Sequence, residues 1–275
     1  MSEASGTPRK KRFPVTLDLS SPAVAPKRND ILGTKTKASW QTLKPAAQLT
    51  VARHAPVSQI HSSSTDALRM RMIERLRAQG IGNEMVLRAM SQVPRHLFVD
   101  AALRNQAYED TSLPIGLEQT ISKPSVVATM LSYLVSAEKG RLHSVLDIGT
   151  GCGYQAAVLS LLADKVYSVE RLKGLHERAR INLRPLALKN VHLIYGDGSL
   201  GLPAGAPFDA IVAAASGLEI PVTWLEQMTV GGALIAPLTL ERERQALVKI
   251  VRTAQGWHEM ILESVQFVPL KAGTS

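Results

Sequence analysis

The chain has 275 residues and a mass of 29.8 kDa, room for one large domain or two small ones at ~150 residues each. Apolar residues make up 45% and charged residues 20%, with a mean hydropathy of +0.02, which excludes collagenous, coiled-coil and wholly disordered classes. The formal charge of +9 is not spread evenly: residues 1–65 hold ten Lys/Arg against three acids, so the rest is close to neutral and a nucleic-acid surface on the folded part is not indicated.

Residues 1–65, rich in Pro, Ser, Thr and Ala and lacking sustained apolar periodicity, read as a disordered basic extension. The run Pro8-Arg-Lys-Lys-Arg12 can attract RNA, anionic lipid or an acidic protein over long range, but a solvated tail without a specific partner is the expectation. The basic N-terminus is followed by no apolar stretch of the kind a signal peptide needs. The longest apolar run, Ala156 to Ala163 broken by Ser160, falls short of the ~18 residues of a membrane span, so no membrane association is expected. Cys152 is the only cysteine; it can form no internal disulfide, no Cys/His cluster has zinc spacing, and a reducing cytoplasm fits best.

From residue 66 a single domain is expected. Leu68, Met72, Ile73 and Leu76 share a helical face that ends near Gly80, and Asn83 caps a second helix carrying Val86, Leu87, Met90 and Val93. Tyr108 to Gly116 reads as an irregular loop, and Ser122 or Lys123 with Pro124 opens a helix to about Ala137. Strands are expected at Ser144 to Ile148, Lys165 to Glu170, Val191 to Tyr195, Phe208 to Ala213 and Gly232 to Pro237. Helices are expected at Tyr154 to Ala163, Leu172 to Leu188 and Ile220 to Met228. This alternation specifies an α/β fold: a doubly wound, Rossmann-like parallel sheet with a helical preface. Gln245 to Arg252 and Trp257 to Val268 read as antiparallel strands added at one edge.

In Asp147-Ile-Gly-Thr-Gly-Cys-Gly153, three alternating glycines follow a strand and precede a helix, so a ligand can lie against bare backbone. The spacing is G-x-G-x-G, not the G-x-G-x-x-G that seats a dinucleotide pyrophosphate. Glu170 ends the second strand, where a carboxylate can accept from both hydroxyls of a ribose. Asp197, in Gly196-Asp-Gly198 after the third strand, can accept from an adenine amino group, and Asp147 lies beside a place for a cation. Adenine, an unmodified ribose and positive charge describe S-adenosylmethionine better than NAD. Taken singly, a glycine cluster is a tight turn and an isolated acid a solvated cap; three such features at successive strand ends point to a ligand site.

The segments Val93-Pro-Arg-His-Leu-Phe-Val99, Ala107-Tyr-Glu-Asp110, Leu113-Pro-Ile-Gly116, Gln119-Thr-Ile-Ser-Lys-Pro124, Val145 to Gln155, Tyr167-Ser-Val-Glu170, Gly196 to Gly198, Phe208-Asp-Ala-Ile211 and Phe267-Val-Pro-Leu270 resemble the protein-L-isoaspartate (D-aspartate) O-methyltransferases. The resemblance covers about residues 68–270. It implies a class I methyltransferase that moves a methyl from S-adenosylmethionine, leaving S-adenosylhomocysteine, to the α-carboxylate of isoaspartyl residues in damaged proteins. The ester then collapses to a succinimide that partly returns to aspartate. It implies Ser122 as the active-site residue and Thr120 and Ile121 beside the cofactor. With the residues read above, the expected cofactor site is Thr120, Ile121, Asp147, Gly149, Thr150, Gly151, Gly153, Glu170, Asp197 and Gly198, with no metal. Isoaspartyl proteins and peptides are the expected partners, D-aspartyl sites a further substrate, and the protein a monomer.

Against the family pattern, Glu118 stands where many members have glycine, Ala213 to Ala215 replaces a segment that often includes threonine, Leu238-Thr239 lacks the glycine that commonly follows the proline of this strand, and Lys271 stands where some relatives carry a cofactor-side threonine. From the residues alone Ser122 reads first as a helix cap; the resemblance makes it the active-site residue instead, and the two roles can coexist. Asp110 can order a substrate loop or bond its own turn, His96 can be catalytic or packed, and Cys152 reads as a small packing residue. The rivals are a methyltransferase for RNA or a small molecule, a nucleotide-binding module without catalysis and, with the wrong glycine spacing, an NAD oxidoreductase.

Overall fold

The computed structural model describes residues 58–136, 140–240 and 243–275. The basic extension expected over 1–65 lies outside the described residues as far as position 57, and the boundary placed at 66 falls inside the first helix, α1 (Ser58–Ala78). In α1, Met72, Ile73 and Leu76 are buried as their spacing requires, and Gly80 follows in a left-handed conformation (φ 92°). Asn83 caps α2 (Glu84–Gln92): its side-chain oxygen accepts from Val86 N at 3.3 Å.

The expected loop at 108–116 instead ends in a short hairpin, β1 (Leu113–Gly116) paired antiparallel with β2 (Gln119–Ile121). Leu113, Ile115 and Ile121 turn inward, and this apolar alternation gives the hairpin its buried face. Pro124 then opens α3 (Pro124–Leu134).

The main sheet contains β3 (Leu142–Ile148), β4 (Ala163–Glu170), β5 (Val191–Tyr195), β6 (Phe208–Ala213), β7 (Met228–Thr239), β8 (Gln245–Thr253) and β9 (Gly256–Val265). Their order is β5-β4-β3-β6-β7-β8-β9; the first five are parallel, and β8 and β9 are the antiparallel edge additions. Helices α4 (Tyr154–Ser160), α5 (Lys173–Leu183) and α6 (Val222–Glu226) connect the parallel strands. Helices α4 and α6 are shorter than expected because neighbouring strands claim their ends: Ala163 already pairs with Leu142, and Met228 with Phe208.

Alternation along the strands builds two cores. Val145, Val166, Ala210 and Val212 face α1 to α4, while Leu146, Ile148, Ile211 and Ala213 face the Trp224 side. The chain winds outward through β4 and β5, then returns to the other side of β3 at β6. This reversal opens a crevice beyond the C-terminal ends of β3 and β6, the switch point where open α/β sheets bind ligands.

Candidate active site

The crevice holds a cleft of ≈ 700 Å³. Its floor is the loop after β3, where Gly149, Gly151 and Gly153 all have positive φ (90°, 57° and 93°). Gly149 N and Thr150 N donate to Val169 O at 2.9 and 3.2 Å, tying the loop to β4. At Gly151 a Cβ would stand 3.3 Å from Ile115 Cδ1, so glycine serves both the backbone angle and the close approach of the hairpin. Glu170, only 4% exposed, accepts from Gly151 N (2.8 Å) through Oε2 and from Leu172 N (2.9 Å) through Oε1. Each oxygen keeps a lone pair for a further donor.

Asp147 points the other way, beneath α4. It accepts from Gln155 Nε2 (2.8 Å) and Ser168 Oγ (2.7 Å), and Ser168 shares a second hydrogen bond with Thr150 Oγ1 (2.6 Å). Burial pushes the Asp147 carboxyl up to about 6, against the two hydrogen bonds that favour its charged form. Asp197 has both oxygens engaged: Oδ1 accepts from Ser199 N (2.9 Å) and Oγ (2.7 Å), and Oδ2 from Gly273 N (2.6 Å). Burial raises its pKa, but those donors and Arg171 outweigh it and hold the carboxyl below its ordinary value. Gly198 is fixed through its carbonyl, which accepts from the buried indole of Trp224 at 2.8 Å.

Ser122 lies between β2 and α3 and lines the cleft. It is not the α3 cap; Lys123 is, and makes no side-chain cap bond. The segment is clamped from behind instead. The guanidinium of Arg95 donates from Nη2 to Ser122 O and from Nε to Ala107 O, both at 2.7 Å, and lies 4.7 Å over the Tyr154 ring. Asp110 Oδ1 accepts from Ser125 N at 2.9 Å and so satisfies the free helix terminus. Asp110 thus reaches past its own turn to the start of α3, three residues after Ser122. His96 Nδ1 lies 2.7 Å from Tyr108 Oη, a packed pair, and burial lowers the histidine pKa. Cys152 is buried, and burial pushes its thiol pKa up.

Thr120, Ser122, Gly149, Gly151, Glu170 and Gly198 thus meet around one cleft. Ile121 packs into the core; Asp147, Thr150, Gly153 and Asp197 shape the walls from behind. Sequence reasoning passed over three contributors. Arg95 stands in the sequence only as one letter of the Val93–Val99 segment, Trp224 only as one more residue of an expected helix, and Val268 to Leu270 only as the end of an expected strand and part of the Phe267–Leu270 segment, with no sign that they wall a cleft. That wall leaves the sheet and pairs with the loop after β6, with Ser216 N donating to Val268 O and Leu270 N to Ser216 O, each at 2.8 Å.

A glycine loop after the first parallel strand, an acid at the tip of the second and a cleft at the switch point define a Rossmann-like α/β methyltransferase of class I. A sequence profile described as protein-L-isoaspartate(D-aspartate) O-methyltransferase matches residues 67–275, and the chain belongs to that family. A protein-L-isoaspartate O-methyltransferase of Leptothrix cholodnii is 52% identical over 282 aligned residues, covering 100% of this chain and 98% of the relative. One from Burkholderia pseudomallei is 57% identical over 212 residues, covering 76% of this chain and 65% of the relative's length. Among solved structures, a protein-L-isoaspartate O-methyltransferase superposes with a TM-score of 0.68 at 28% identity, over 74% of this chain and 66% of the other. A Plasmodium falciparum member solved with S-adenosyl-L-homocysteine gives 0.65 at 26% identity, over 74% and 98%.

Proposed function

We propose that this cleft binds S-adenosylmethionine and that the protein transfers its methyl group to the free α-carboxylate of L-isoaspartyl residues in damaged proteins, with D-aspartyl residues as a second substrate. The observation that carries the reading is that Glu170, the bare backbone of Gly149 and Gly151, and Ser122 line the same cleft. A nucleoside-sized group fits there, since the volume lies inside the ~300–1,000 Å³ range of small-molecule sites.

Glu170 would accept from ribose hydroxyls, Ile148 and Val169 would flank the base, and Gly198 would leave room at its edge. When bound, S-adenosylmethionine supplies a methyl on a sulfonium, already electrophilic. The substrate carboxylate is ionised at neutral pH, so no general base is required of the chain. One carboxylate oxygen forms a bond to the methyl carbon as the carbon–sulfur bond breaks, and that electron pair stays on sulfur. Two opposite charges disappear in this step, which a partly apolar cleft favours over bulk water. The chain's task is alignment, worth about 7–11 kcal/mol in favourable cases. Ser122, on a segment pinned by Arg95 and Asp110, donates to the carboxylate and fixes its approach.

The reading extends to a cytoplasmic monomer with no nucleic-acid or membrane partner. The lone buried thiol supports the compartment and the near-neutral charge after residue 65 the lack of a nucleic-acid partner; among the described residues no helix is long and apolar enough to cross a membrane. The deciding assay offers an isoaspartyl peptide and its aspartyl twin with methyl-labelled cofactor. Base-labile methyl ester is expected on the isoaspartyl form alone; equal labelling of both, or of neither, refutes the reading.

A further inference from the structure

Four charged side chains line the cleft: Glu118, Glu170, Arg171 and Lys271. Two are occupied. Glu170 holds the backbone of Gly151 and Leu172, and Arg171 Nε donates to Gly273 O at 2.9 Å. The other two are exposed and, among the described residues, make no ion pair or side-chain hydrogen bond.

Both are nevertheless held in place by their backbones. Leu117 and Glu118 form the tip of the β1–β2 hairpin with φ of 51° and 58°, a left-handed conformation that costs residues with a Cβ. Leu117 gains packing in return: its Cδ1 would lie 3.0 Å from a Cβ on Gly174, against the first turn of α5. Among the described residues no ion pair or side-chain hydrogen bond offsets the cost at Glu118, and backbone strain of this kind collects where a ligand is met. Lys271 follows Leu270, whose N is bonded to Ser216 O at 2.8 Å, and precedes Gly273, whose N is bonded to Asp197 at 2.6 Å. Its backbone is fixed on both sides while its side chain is free.

A cleft of ≈ 700 Å³ that takes a nucleoside and one isoaspartyl residue has no space for the rest of a polypeptide. The residues flanking the isoaspartate must leave across the rim, where these two charges stand. We propose that Glu118 and Lys271 select substrates by the charge of the flanking residues, Glu118 drawing basic side chains and Lys271 acidic ones. This deepens, and rests on, the function proposed above.

The test uses three isoaspartyl peptides identical except for flanking Lys, Glu or Ala, assayed with the wild type, Glu118→Gln and Lys271→Met. Glu118→Gln is expected to lower the kcat/KM ratio of the Lys peptide to the Ala peptide about threefold, through KM and not kcat. Lys271→Met is expected to do the same to the ratio of the Glu peptide to the Ala peptide. Both effects shrink at about 1 M salt, where screening acts within ~3 Å. Ratios that stay fixed in both variants, or that fall through kcat, overturn the proposal while leaving methyl transfer intact. Failure of the wild type to label any of the three peptides overturns the underlying function instead.

Discussion

Asp147→Asn is a sharp test of how the cofactor loop is built. Asp147 has no solvent exposure, and its carboxyl titrates at about 6 in the folded chain against 3.8 for the unperturbed group. The folded state therefore keeps a proton that the unfolded state has already lost. Stability from this group is greatest below about pH 4, falls by about 1.4 kcal/mol per pH unit, and is gone above about pH 6. The full swing is about 3 kcal/mol, a large part of a typical domain's stability. The amide has no charge to bury and retains the network: its oxygen accepts from Gln155, its NH₂ donates to Ser168 Oγ, and the Ser168 hydroxyl turns to Thr150, a direction open to that pair. Urea unfolding of both proteins from about pH 4.5 to 7.5 measures the difference. The variant should gain on the wild type as pH rises to about 6 and then hold a constant lead of up to about 3 kcal/mol. A difference independent of pH would mean that Asp147 is not a buried, proton-holding carboxyl.

Three other outcomes follow from the site. Ser122→Ala should lower methyl transfer on the order of ten- to a hundredfold, as lost positioning does, with cofactor affinity kept in a calorimetric titration; equal loss of both would refute the positioning role. Glu170→Ala should weaken cofactor binding, because it removes the ribose acceptor and releases Gly151 N and Leu172 N together; unchanged affinity counts against it. Arg95→Met leaves the carbonyls of Ser122 and Ala107 unpaired, at about 1–3 kcal/mol each. It should cut kcat more than cofactor affinity, with Arg95→Lys giving partial rescue, and a kcat equal to wild type would remove Arg95 from the positioning of Ser122.

The parallel sheet was legible because β3, β4 and β6 are short, largely apolar runs, the first followed by Gly149 and the second closed by Glu170, and their period of two assigns faces without further information. The hairpin was not, because its tip uses Leu117 and Glu118 where a two-residue turn ordinarily calls for Asn or Gly; packing on Gly174 explains Leu117, a contact no local sequence signal announces. The glycine loop and Glu170 were readable from strand-end chemistry. Asp147 misled at the level of direction: it sits one residue before Ile148, which lines the cleft, so strand alternation turns it under α4. Arg95 left no local signal, since arginines are mostly exposed and its partners lie 12 and 27 residues away.

The wall formed by residues 268–273 joins Ser216 and Asp197, the latter across a separation of 76 residues. During synthesis the parallel strands emerge long before this segment does, so a nascent chain can form its sheet and glycine loop while one side of the cleft is still missing. A chain stopped shortly before position 268 is expected to lack the bonds to Ser216 and Asp197, and so to lose this side of the cleft while the sequence of all seven sheet strands is already made.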